Sequence, residues 1–136
     1  MKKQLSILGI LMTLLLVGCS KDSNTSAHDT VTGQWKLVNV SGTFAGINND
    51  FPEGMITWDF NPITQTVTVT NNNTDSNLWD VLETGVYNYH FANNPGMPCS
   101  ESIYINGAEY GCYSIANDSL VIDQSIADGF AITLKH

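Results

Sequence analysis

Three thiols and three imidazoles are the side chains best suited to covalent or acid–base chemistry: Cys19, Cys99 and Cys112, with His28, His90 and His136. A nucleophile or general base works only beside a partner that activates or orients it. The spacing here argues against such a constellation. His28 stands in a polar stretch and His136 is the last residue, which leaves His90 in a run where it alternates with Val86 and Asn88 against Tyr87, Tyr89 and Phe91. That is the setting of a structural strand histidine. No serine has a nucleophile-elbow context, so the protein is not expected to be an enzyme; His90 meeting Glu83 or Glu109 in one pocket would revive that reading. A zinc site usually takes four ligands, and His90 is the sole candidate near the later cysteines. Asn71, Asn73, Asp75 and Asn77 offer oxygens at alternate positions, like the start of a calcium loop. Ser76 stands where the tight-turn glycine belongs, however, and Leu82 where a bidentate glutamate belongs. A polar hairpin loop accounts for the same residues, and no metal or cofactor is expected.

Cys19 has a different context. Lys2 and Lys3 precede an apolar stretch from Leu5 to Val17, interrupted by Ser6, Gly9 and Thr13. It is shorter than the roughly 20 residues a membrane span needs and matches the apolar region of an export signal. Leu16-Val17-Gly18-Cys19 resembles the lipobox of bacterial lipoproteins. That resemblance implies that residues 1–18 are cleaved, that the Cys19 thiol carries diacylglycerol, and that the new amine is acylated. Ser20 rather than aspartate after the cysteine favours, within that family, the outer membrane, on its periplasmic face or at the cell surface. Several acyl chains anchor stably where one is marginal. Residues 19–30 are polar and without period, a flexible lipidated tether. With Cys19 acylated, Cys99 and Cys112 form an even pair in an oxidising compartment, which favours a disulfide. Pairing about Asn106-Gly107 sets Glu101 opposite Cys112, so the bridge requires a bulge or a looser turn.

Charge narrows the partners. Once the signal is removed, Lys21, Lys36 and Lys135 oppose thirteen acids without any arginine, a net charge of −10. Nucleic-acid binding rests on clusters of Lys and Arg that displace counterions, and there is no cluster here. Attachment to a membrane therefore falls to the lipid.

From Gly33 onward apolar and polar residues alternate with period two, broken by turn residues about every ten positions, the pattern of a sandwich or barrel. Strands are expected near 33–41, 54–60, 65–71, 84–91, 101–105, 109–115, 119–123 and 129–135. Asn61-Pro62, Asn106-Gly107 and Asn117-Asp118 read as hairpin turns, the second most strongly because both of its residues favour positive φ. Eight consecutive antiparallel strands can close into an all-β up-and-down barrel, which removes exposed edges.

Gly33-Gln34-Trp35 matches the Gly-x-Trp signature of lipocalins, and residues 31–136 resemble, in strand order, the lipocalin-like lipoproteins of Gram-negative bacteria. The chain is shorter than a true lipocalin, has no helix after its last strand, and lacks an arginine to pack across the tryptophan; Lys135 is the expected substitute. Up-and-down order places loops 41–53, 71–83, 106–108 and 124–128 at the end away from Trp35. In lipocalins that end is the mouth of a ligand-binding calyx. Phe44, Ile47 and Phe51 in the first long loop and Trp79 in the second are candidate ligand contacts, with Trp58, Tyr87 and Tyr89 on the strands below. The functional expectation is a lipid-anchored barrel holding a small hydrophobic ligand. The alternative is a structural or interaction module, for an envelope protein or glycan, whose barrel is packed with its own side chains.

Overall fold

The structure is a computed structural model that describes residues 31–42, 46–96, 98–124 and 128–136. The signal, Cys19, the tether and Phe44 lie outside the described residues. Nine strands follow in chain order: β1 (Gly33–Gly42), β2 (Ile47–Asp50), β3 (Ile56–Asn61), β4 (Thr66–Asn71), β5 (Gly85–Asn93), β6 (Glu101–Ile105), β7 (Ala108–Ala116), β8 (Ser119–Asp123) and β9 (Phe130–Lys135). From β3 to β9 each strand pairs antiparallel with the next, and β9 pairs back onto β1. The result is the expected all-β, eight-stranded antiparallel up-and-down barrel, with β2 as one strand more.

Alternation drives these strands. On β3, Ile56, Trp58 and Phe60 are buried while Asp59 and Asn61 are exposed; on β4, Val67 and Val69 are buried between exposed Thr68 and Thr70. Branched and aromatic residues suit such a half-buried pleat. Inward residues line up in register across the closure. Leu37 lies opposite Leu134, which faces Leu120, which faces Ile115; Val40, Ile132, Ile122 and Tyr113 form a second row. Leu37 and Val40 are three residues apart, yet both are buried because the β1–β9 register shifts between Leu37 and Asn39. A bulge of this kind turns two same-sided residues out of strict alternation.

The additional strand has a simple cause. The first half of β1 pairs with β3 (Gly33 opposite Phe60, Lys36 opposite Thr57), and β3 ends there. The second half of that edge would be bare. Instead β2 covers it, with Asn39 opposite Asp50 and Gly42 opposite Ile47. The Phe51 amide continues the ladder to the Val38 carbonyl at 2.9 Å before the chain turns into β3.

The interior is packed. Trp35, Trp58 and Phe60 are fully buried, and Phe60 meets Tyr89 edge-on with ring centroids 5.1 Å apart. Each large apolar side chain removed from water in this way contributes about 1.5–3 kcal/mol. The Trp58 indole N–H is buried without a hydrogen-bond partner among the described residues, a cost of about 1–3 kcal/mol that the packing of the ring offsets.

At the end where β1 begins, Gly33 has φ +74° with open space where a Cβ would be, so the Gly-x-Trp motif needs glycine for its backbone angle. The Trp35 Nε1 donates to the Thr32 carbonyl at 3.2 Å. The group stacked on its ring is His136, with centroids 3.7 Å apart, and not Lys135. Strand parity explains the exchange. Lys135 lies opposite Lys36 and points to solvent, while the next residue reaches back beneath the barrel.

Candidate functional site

At the opposite end, which we call the mouth, the loop from Asn71 to Thr84 is shaped by its own side chains. The Oδ1 of Asn71 accepts the Asn73 amide at 2.9 Å, that of Asn73 accepts the Asp75 amide at 3.0 Å, and that of Asp75 accepts the Asn77 amide at 2.9 Å. Each is an Asx turn. Alternate Asn and Asp are therefore explained by turn chemistry: oxygens that a calcium ion would need are occupied by N–H groups. The Asn71 and Asn73 amides both donate to Asp80 Oδ2, at 2.8 and 3.0 Å. Hydrogen bonds from the backbone and side chain of Asn77 hold the Asp75 carboxyl below its ordinary value. The loop encloses a polar, open concavity of about 410 Å³. Among the described residues no group of three or more His, Cys, Asp or Glu could hold a metal ion.

This loop positions one aromatic. The Trp79 carbonyl accepts a hydrogen bond from Asn49 Nδ2 of β2 at 3.4 Å, and its ring lies on Phe130 at the start of β9, centroids 3.7 Å apart and planes tilted by 39°. Trp79 stays 38% exposed, whereas Trp35 and Trp58 are fully buried. Beside it opens a cleft of about 260 Å³ lined by Trp79, Ala108, Glu109, Tyr110, Gln124, Phe130 and Ile132.

A bulge builds the far wall of this cleft. Ile103 lies opposite Gly111 and Tyr104 opposite Glu109, so Tyr110 is the extra residue of β7 and aims at the mouth. Gly111, at φ +105°, makes the bulge possible: a Cβ there would stand 2.4 Å from the Asp123 carbonyl oxygen on β8. Burial pushes the Tyr110 hydroxyl pKa up, and nearby Tyr87 adds to the shift. The same register change sets Ser102, not Glu101, opposite Cys112. With that correction the expected disulfide forms, Cys99 to Cys112, with Cα atoms 5.8 Å apart.

The disulfide fastens the segment between β5 and β6 over the outer face of β6 and β7. Beneath it, Glu109 Oε1 accepts hydrogen bonds from Asn94 Nδ2 and from the fully buried Ser102, whose Oγ is 3.0 Å away. Gln124 Nε2 donates to the Glu109 carbonyl at 2.9 Å. The Glu109 carboxylate is thus held on the outer face by β6 and the segment after β5, and its backbone carbonyl, at the cleft, by the residue that follows β8.

Of the candidate ligand residues that are described, Trp79 alone borders the cleft. Trp58, Tyr89 and Phe51 are buried as interior packing. Tyr87 is half-buried, its hydroxyl donating to the Glu83 carbonyl at 3.0 Å, and Ile47 is half-buried on β2. Tyr110 and Gln124 leave no signal in the sequence, because a bulge is invisible to strict alternation, and Glu109 stands across Tyr104 from His90 in register and does not meet it in the cleft; Phe130 and Ile132 lie on the inward face that alternation gives β9 and also form cleft wall. His90 stacks on Tyr104 on the barrel's outer face, centroids 5.0 Å apart. No protein-family model matches the chain, and neither the curated proteins nor the solved structures contain a match to it.

Proposed function

We propose that this chain is an envelope lipoprotein, anchored by acyl chains on Cys19, whose barrel is a rigid support for a small-ligand seat at its mouth. The lipobox-like segment supports the anchor. The mouth cleft carries the ligand reading: beside an interior occupied by Trp35, Trp58, Phe60 and Tyr89, it is a mainly apolar concavity with an aromatic only partly covered. Its volume, about 260 Å³, lies just under the range of about 300–1,000 Å³ common for ligand pockets, and so suits a molecule of few heavy atoms.

The filled interior favours a second reading, an interaction module whose loops meet an envelope protein or glycan. Native mass spectrometry of the protein purified from its own membrane separates the two. A co-purifying small molecule that is lost on Trp79→Ala supports the mouth seat. A clean apo mass for both forms, with no small-molecule binding, would favour the interaction module. The same spectra read the anchor, since a Cys19 without acyl mass would sink it.

A further inference from the structure

The cleft at the mouth offers no partner for a charge. Among the described residues that line it none is Lys, Arg or His, and the acid among them, Glu109, turns its carboxylate to the outer face, where Asn94 and Ser102 hold it. The Glu109 carbonyl is taken as well, by Gln124 Nε2 at 2.9 Å. An ionic guest of either sign would give up its hydration here and find no counter-charge, which is costly.

The lining instead suits a neutral ring. Trp79 and Phe130, with ring centroids 3.7 Å apart, form one wall, and Tyr110 stands in the other. A flat ring packed against such rings gains beyond the area it buries. The volume, about 260 Å³, exceeds the roughly 150 Å³ of a cavity that takes benzene, which leaves room for one ring with a short substituent. The Tyr110 hydroxyl supplies a polar handle: it has no hydrogen-bond partner among the described residues, whereas that of Tyr87 donates to the Glu83 carbonyl. Burial, then Tyr87, raise its pKa, so it keeps its proton and serves as a donor. A guest that covered this hydroxyl without accepting its hydrogen bond would leave it unpaired. We propose, on the basis that the mouth is a ligand seat at all, that its ligand is an uncharged aromatic ring bearing a neutral oxygen acceptor, laid against Trp79 and Phe130 with that oxygen at the Tyr110 hydroxyl.

The test uses the full-length protein and probes that keep one ring and change one group: benzyl alcohol, and, at neutral pH, benzylammonium and benzoate. Trp79 fluorescence is the readout, because the other two tryptophans are fully buried. Benzyl alcohol should bind at least about ten-fold more tightly than either ion, and about three-fold more tightly than cyclohexylmethanol, which lacks the flat ring. Tyr110→Phe should weaken benzyl alcohol about five-fold and leave toluene unchanged. Should that variant unfold by circular dichroism, the carbonyl stretch of acetophenone bound to the native protein takes its place: a hydrogen bond from Tyr110 lowers it below its value in an apolar solvent, and an unshifted band overturns the handle. An ion or cyclohexylmethanol that binds as tightly as benzyl alcohol overturns the proposal while keeping a seat at the mouth, as does a folded Tyr110→Phe variant that holds benzyl alcohol undiminished. Binding of no probe overturns the seat as well.

Discussion

The two ends of the barrel are closed by different physics. Around Trp35 the closure is apolar and aromatic: a buried indole stacked on His136, with Val31 fully buried beneath. Around Trp79 it is polar: a loop held by Asx turns and amide–carboxylate hydrogen bonds, which leaves its tryptophan partly exposed. Hydrogen bonds that water can replace contribute about 0.5–1.5 kcal/mol each, less than a large buried side chain. The same residue type therefore anchors the fold at one end and is displayed at the other.

Trp35→Ala should cost about 3–5 kcal/mol, the range for truncating a buried aromatic, measured by urea unfolding. A loss near that of Trp79→Ala would dissolve the contrast between the ends. Reducing the Cys99–Cys112 bridge, which closes a sequence separation of 13, should lower stability by roughly 3 kcal/mol. Proteolysis should then cut first between residues 94 and 100. Gly111→Ala forces both a clash and an unfavourable φ, and should cost about 2–3 kcal/mol; because the bulge aims Tyr110, it should also blunt ligand binding. Trp79→Ala should change stability by less than about 1 kcal/mol while abolishing the fluorescence response to any mouth ligand.

The smallest effect is a pH dependence at the Trp35 end. Burial, then the charge and hydrogen bond of Glu101, raise the Tyr113 hydroxyl to about 12. The folded state therefore keeps this proton above the ordinary tyrosine value of about 10, where the unfolded chain loses it. The contribution is complete below that ordinary value and is lost as pH climbs through the window up to about 12. Tyr113→Phe should flatten the alkaline arm of a stability–pH curve. An unchanged arm would show that the hydroxyl is not held this way.

Sequence reading captured the strands wherever alternation carried the burial. Ile56, Trp58 and Phe60 on β3 and Ile132 and Leu134 on β9 announce their faces, and the Asn117-Asp118 turn takes the positive φ its residues favour, +49° and +59°. It missed β2, because Ile47-Asn48-Asn49-Asp50 has no alternation to read: that strand exists to cover the edge of β1 that β3 leaves bare. It missed the cleft for a related reason. Tyr110 is placed by a one-residue shift between β6 and β7, and Trp79 by side-chain turns in a loop. Neither leaves a periodic trace. Trp79 stands partly exposed at the mouth, while Trp58, Tyr89 and Phe51 went to the interior, where an eight-stranded barrel has just enough room for side chains.

The position of β1 bears on how the domain withstands force. Residues before Val31 join the fold through this strand, which is hydrogen-bonded to β9 on one edge and to β3 and then β2 on the other. A pull on the residues before Val31 directed along the strand would act at right angles to ladder bonds that run between strands. Those bonds are loaded in shear, together, and not peeled apart one after another. Under the proposed lipid anchoring, the segment that would tie the protein to its surface therefore enters through a strand that is hydrogen-bonded on both edges.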